Sequence, residues 1–228
     1  MDHFKHGHCR MLILASVLLI AHGQAACPAY IFVELAPPVS ISSAAFGESN
    51  GEQVGEVVWQ NMIYHAALWS GSPASLLDLH PSGFMNSSCS ANSGFQQVGY
   101  GETWTNFDQP HALLWSGSAA SVVYLHPAGY SRSEALGVSG GKQYGFGYHI
   151  QSQQSHALMW SGSAASVVDL HPAGYDDSSI GGAYGDQQVG QGIRTGLRAV
   201  LWHGTALSAV DLTPPGYFGA TAVGVGNG

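Results

Sequence analysis

Six histidines of this 228-residue chain stand at two recurring places. His65, His111 and His156 each open an apolar run, and His80, His126 and His171 each follow 15 residues later. Imidazoles at one position of successive units, arranged as a ring, would offer metal ligation or pH sensing. A metal needs ligands that converge on one point at about 2 Å, and equivalent positions of successive units lie farther apart. The fourth copy also carries Arg198 and Thr213 in their place. These histidines are therefore read as structural, each fixing a turn by hydrogen bonds, and no metal site is assigned. Ser70, Asp78 and His80 have the residue types of a nucleophilic triad. Such catalysis needs a singular site with an oxyanion hole, whereas this set is copied from unit to unit, with Tyr124 replacing the aspartate once. No catalytic residue or cofactor is assigned, and the chain is read as a non-enzyme.

Two aromatic series recur with the histidines. Trp69, Trp115, Trp160 and Trp202 are read as core, each burying on the order of 200 Å² between neighbouring units. Phe84, Tyr130, Tyr175 and Tyr217 fall in a connection, where they would stack on sugar rings if displayed. One aromatic per unit would give a multivalent lectin, so these four are the candidate ligand-binding residues of an alternative reading. The glycine-rich "SGGKQYGFG" opens no helix and lacks the Gly-Lys-Ser/Thr of a phosphate loop. Asp176 and Asp177 lack calcium-loop spacing.

What positions these residues is an internal repeat. The four tryptophans are spaced 46, 45 and 42 residues apart, and residues 111–131 differ from residues 156–176 at only three of 21 positions. Each unit reads as four short segments. Segment a ends in a turn ("AAFGESNG", "EALGVSGG"), b carries "QVG", c ends in "LWSGS" and d is "VVDLHPAGY" or a variant. The a–b and c–d connections, short and rich in Gly and Ser, are expected to be hairpins. Segments c and d are near-continuous apolar runs, which implies sheets covered on both faces. The expectation is an all-β fold of tandem four-stranded antiparallel repeats of about 45 residues, β-propeller-like, with a β-solenoid or sandwich as alternative. The units span about 44–84, 85–130, 131–175 and 176–217 of a repeat domain over 27–228. A leading strand of type d is expected at 29–37 and a trailing strand of type a at 218–228.

The His-Ala-Leu-Trp, Asp-Leu and Gly-Gln-Val-Gly elements resemble the HAF-type repeats of extracellular bacterial proteins, over residues 31–228. "LHPAGY" departs from that pattern, which more often has a Gly-rich turn there. The resemblance implies a shape and an extracellular location, and no reaction. The Trp, Ser, His and Asp of each unit are also reminiscent of the structural network of WD40 blades, in a different order.

Residues 1–26 read as a secretory signal: Lys5 and Arg10, the apolar run 11–21, then Gly23, Ala25 and Ala26. The run is too short to span a bilayer of ~30 Å, and no transmembrane span is expected. His3, His6 and His8 sit in that leader and are not taken as a metal tract. Cys27 would be the lipidated residue if the leader were of lipoprotein type, although Gln24 stands where an aliphatic residue is usual. Cys27 and Cys89 would be free to pair in an oxidising compartment. Beyond residue 26 only Arg132, Lys142, Arg194 and Arg198 oppose 13 acids, which excludes the basic patch that nucleic acid requires. The expected role is a secreted or cell-surface scaffold with an extracellular protein or glycan as partner, and with self-association through unclosed ends.

Overall fold

The computed structural model of the protein describes residues 17–19 and 30–226. Apart from 17–19, the expected leader and both Cys9 and Cys27 lie outside the described residues. β1 (Val17–Leu19) pairs antiparallel with β2 (Tyr30–Phe32), which begins the expected leading strand. Four four-stranded antiparallel meanders follow. The first holds β3 (Ser40–Ser49), β4 (Glu52–Trp59), β5 (Tyr64–Trp69) and β6 (Leu77–Asp78). The second holds β7 (Phe84–Ser93), β8 (Gln96–Thr103), β9 (Asn106–Trp115) and β10 (Val123–Tyr124). The third holds β11 (Tyr130–Ser139), β12 (Lys142–His149), β13 (Gln154–Trp160) and β14 (Val168–Asp169). The fourth holds β15 (Asp177–Tyr184), β16 (Gln187–Ile193), β17 (Leu197–Trp202) and β18 (Val210–Asp211). The chain is thus all-β, built of tandem four-stranded sheets stacked face to face, an arrangement shared by propeller-like and sandwich folds. No helix among the described residues is long and apolar enough to cross a membrane.

The stacking explains the continuous apolar runs. Along β9, Leu113 and Trp115 pack back against Val54, Ala66 and Leu68 of the first sheet. Ala112 and Leu114 point forward to Ala135, Leu158 and Trp160 of the third. Trp202 of the fourth sheet likewise packs back on Ala157 and Met159. Side chains alternate with period two, and here both directions meet another sheet, so alternation vanishes from the sequence. The leucine after each segment d measures this cover. Leu35, Leu79, Leu125 and Leu170 are 4%, 0%, 0% and 0% exposed, while Leu212, which no further sheet covers among the described residues, is 45% exposed.

Three elements differ from the sequence expectation. Segment d contributes only two residues to each ladder. The c–d connection is no plain hairpin loop, because it holds a 3₁₀ turn at Pro73–Ser75, Ala119–Ser121, Ala164–Ser166 and Ala206–Ser208. Segment a starts earlier than its apolar residues suggest, so Phe84 and Tyr130 begin strands β7 and β11 instead of lying in a connection. Residues 220–226 form no strand. They run beside the fourth sheet, with the Ala222 N–H donating to the Gly190 carbonyl at 3.2 Å.

The recurring "QVG" and "WSG" motifs are two halves of one brace. The Oε1 atoms of Gln53, Gln97, Gln143 and Gln188 accept from the N–H groups of Gly71, Gly117, Gly162 and Gly204 at 2.7–2.9 Å. Those glycines have φ of 74–83°, which L-residues with a Cβ rarely adopt. The glycine of "QVG" has another cause. Strand a slips register in every unit, between Ala45 and Gly47 in the first and Cys89 and Ala91 in the second. A Cβ at Gly55 or Gly99 would collide with the bulged carbonyl oxygen of Ala44 or Ser88.

Candidate functional site: the junctions between sheets

The histidines meet in pairs at each junction. His65 stacks on His80 at 3.9 Å between ring centroids, His111 on His126 at 3.8 Å and His156 on His171 at 4.1 Å. Each second histidine reaches a serine of the next sheet through Nδ1: His80 to Ser87, His126 to Ser133 and His171 to Ser178, all at 2.8 Å. The same hydroxyls accept from the N–H of Ala66, Ala112 and Ala157 at 2.9–3.0 Å. Strand d is too short to reach those N–H groups, so the hydroxyl completes the ladder from the neighbouring sheet. His171 Nε2 lies 3.1 Å from the Tyr175 carbonyl, an acceptor only. It therefore carries the proton, and neutral His171 takes the Ser178 O–H at Nδ1. Burial, then the facing histidine, lowers the pKa of His80, His126 and His171 from 6.5, that of His126 to about 4.

Asp78 and Asp169 hold the first histidine of the first and third pairs, at 2.8 Å to His65 and 2.6 Å to His156. In the fourth unit Arg198 faces Asp211 at 3.9 Å in the same role. Thr213, in the place of the second histidine, accepts from the Ala199 N–H at 3.0 Å. That threonine does within its own unit what a serine of the following sheet does elsewhere. The histidines thus stand in hydrogen-bonded and stacked contacts, and stacked planes aim their lone pairs in parallel, away from a common point.

Ser70 takes no part in these networks; its backbone N–H donates to Ser75 at 2.8 Å. The serines that do were missed in the sequence, although the signal was there. Ser87, Ser133 and Ser178 each follow the second histidine by seven residues, in "HPSGFMNS", "HPAGYSRS" and "HPAGYDDS". They are buried, and their oxygens are engaged on both sides.

Trp69, Trp115, Trp160 and Trp202 are fully buried in equivalent surroundings. Their indole N–H groups have no hydrogen-bond partner among the described residues. The candidate sugar-stacking residues form no displayed row. Phe84 and Tyr130 are 3% and 9% exposed, while Tyr217 is 65% exposed. A Cβ on Gly101, Gly147 or Gly192 would strike the rings of Phe84, Tyr130 or Tyr175, so these rings fill the space left by a strand-b glycine.

Beside the first and third histidine stacks lie grooves where the units stop resembling one another. Cross-strand neighbours there are Ser88 and Tyr100 in the second sheet, Glu134 and Phe146 in the third, Ser179 and Gln191 in the fourth. The next pair outward is Asn86 and Glu102, then Arg132 and Tyr148, then Asp177 and Ile193. Between the first and second sheets the groove opens into a cavity of about 210 Å³ lined by Glu56, Tyr64, Asn86, Ser87, Ser88, Tyr100 and Glu102. Between the third and fourth it is about 480 Å³, with Arg132, Phe146, Ser155, Asp177 and Gln191 among its walls. The chain matches no known family model and no curated protein sequence.

Proposed function

We propose that this protein is a secreted or cell-surface repeat scaffold without catalytic activity, which holds a protein or surface partner through the grooves between its sheets. The observation that carries the reading is the division of labour within the repeat. Trp, Gln, Gly, His and Ser recur because each closes a packing or hydrogen-bonding requirement of stacked sheets. The residues that change from unit to unit converge on the grooves, where no such requirement explains them. Stacked repeats commonly carry recognition on such varied positions of a fixed frame. Ser70 makes no contact with His80 or Asp78, and the serine that does meet His80, Ser87, is buried and doubly engaged, which speaks against a nucleophilic Ser-His set. The leader-like residues 1–26 and the resemblance to HAF-type repeats support an extracellular place. The lectin alternative has less support, because Phe84 and Tyr130 offer no face to a sugar.

The test is a cell-association assay on the expressed full chain. The protein is expected outside the cytoplasm, cleaved near residue 26 and retained on cell surfaces. A variant with Tyr64→Ala, Tyr100→Ala and Phe146→Ala, its fold checked by circular dichroism, is expected to be released into the medium. Equal retention of the folded variant would remove the grooves from the function, and purely cytoplasmic protein would remove the location.

A further inference from the structure

The groove between the first and second sheets differs from its siblings in charge. Glu56 and Glu102 line it together with Tyr64, Tyr100, Asn86 and Ser88. Asn86 Nδ2 donates to Glu102 at 2.9 Å, which fixes one carboxylate, and the Asn86 Oδ1 accepts from the Tyr64 backbone N–H at 3.1 Å. Neither glutamate has an ion pair among the described residues. The sequence makes this a property of the region, since residues 27–131 contain no Lys or Arg and seven acids. His65, next to Tyr64 in the chain, is taken by Asp78, and His80 by Ser87 of the cavity wall.

The third sheet serves as an internal comparison. There Glu134 stands in the place of Ser88, and the chain supplies its own cation. Burial raises the Glu134 pKa and Arg132 partly offsets it, while the Arg132 guanidinium lies 5.5 Å over the Tyr148 ring. A carboxylate, an aromatic face and a guanidinium therefore stand near one another on the third sheet. The first groove has the carboxylates and the aromatic faces without the cation. Burial raises the Glu56 pKa, and burial with the field of Glu56, Glu134 and Glu102 raises that of Tyr100. A cation entering the cavity would relieve both.

We propose that the cavity bounded by Glu56, Tyr64, Asn86, Tyr100 and Glu102 is a binding site for an organic cation, the ammonium or guanidinium head of a small amine or of an arginyl side chain. Its volume of about 210 Å³ is below the drug-sized range and suits a head group of that size. Carboxylates supply charge-assisted hydrogen bonds to such a head, and the tyrosine rings supply cation–π faces. The inference rests on the groove part of the reading above and not on where the protein resides.

The test uses the purified full chain, titrated by NMR and calorimetry with agmatine, with the blocked peptide Gly-Arg-Gly and with 1-pentanol. Saturable binding of agmatine or the peptide in the millimolar range is expected. The double variant Glu56→Gln/Glu102→Gln is expected to weaken it at least about tenfold, while Glu48→Gln on β3, an acid outside the cavity, leaves it unchanged. Should the double variant unfold, Glu102→Gln alone carries the comparison, with a loss of about threefold or more. Tighter binding of the peptide would assign the site to an arginyl chain, and tighter binding of agmatine to a free amine. Absence of saturable binding, equal affinity for 1-pentanol, an unaffected glutamine variant or an equal loss in Glu48→Gln would each overturn the proposal. Failure here alongside intact cell retention would leave the scaffold reading standing.

Discussion

Removing one oxygen from Ser133 tests whether the sheets are completed by their neighbours. Ser133 is fully buried, and its hydroxyl receives the Ala112 N–H at 3.0 Å and meets His126 Nδ1 at 2.8 Å. Ser133→Ala deletes too little volume for a cavity term, so the cost is the hydrogen bonds. The Ala112 N–H becomes an orphaned buried donor, worth about 1–3 kcal/mol. The half-buried His126 ring loses an ordinary bond worth about 0.5–1.5 kcal/mol. The sum is about 1.5–4.5 kcal/mol, against under about 0.5 kcal/mol for Ser131→Ala, whose hydroxyl makes only a long 3.5 Å contact to Tyr148. Urea unfolding followed by tryptophan fluorescence measures both, and the m-value must stay constant for the comparison to hold. Ser133→Ala with a midpoint within error of Ser131→Ala would refute the claim that this hydroxyl fills a ladder position.

Trp115→Ala is expected to cost about 3–5 kcal/mol as a core truncation. Trp115→Phe should cost distinctly less, because the indole N–H it removes has no partner; thermal melts decide, and a parent-like Trp115→Ala would move the residue to the surface. The folded chain resists protonating His80, His126 and His171, whereas the unfolded chain accepts protons at 6.5. Stability is therefore full above pH 6.5 and falls toward the His126 value of about 4, by about 1 kcal/mol at pH 5.5 after discounting for solvent screening. Glu56 and Glu134, with raised pKa values, act in the opposite sense, their contribution being lost as pH rises above 4.5, so a histidine variant is needed to assign the difference between urea midpoints at pH 7.5 and 5.5. His126→Asn should flatten that difference; an unchanged difference would remove His126 as its source. Burial pushes the Cys89 thiol pKa far up and its Sγ faces the Val98 carbonyl at 3.3 Å. In a Cys9→Ser/Cys27→Ser background it should react with an aromatic disulfide reagent only after denaturant is added, and prompt labelling would contradict its burial.

The repeat made the architecture readable. Four tryptophans at near-equal spacing, each with Gln-X-Gly before it and Leu-X-Pro after it, specify four like sheets, and continuous apolar runs specify cover on both faces. Boundaries were less legible. Ser87 and Ser133 are polar and precede the apolar part of segment a, so they looked like connection, yet they lie in β7 and β11 because their hydroxyls serve another sheet. Phe84 and Tyr130 misled for the opposite reason. An aromatic after Pro and Gly reads as displayed, but Gly101 and Gly147, 17 residues later in sequence, leave the space that swallows it. The grooves were illegible because their lining is defined by difference between units, and it comes together only when registers are known.

Thr213 gives the stack a direction. A unit with histidine at this place must borrow its last acceptor from whatever follows it, whereas a unit with threonine is self-sufficient. For this one hydrogen bond, dependence therefore runs backwards along the chain, each of the first three sheets taking its acceptor from its successor. A single codon at that position would decide whether a given sheet tolerates an open forward neighbour, which makes it the natural place to shorten or extend such an array by design.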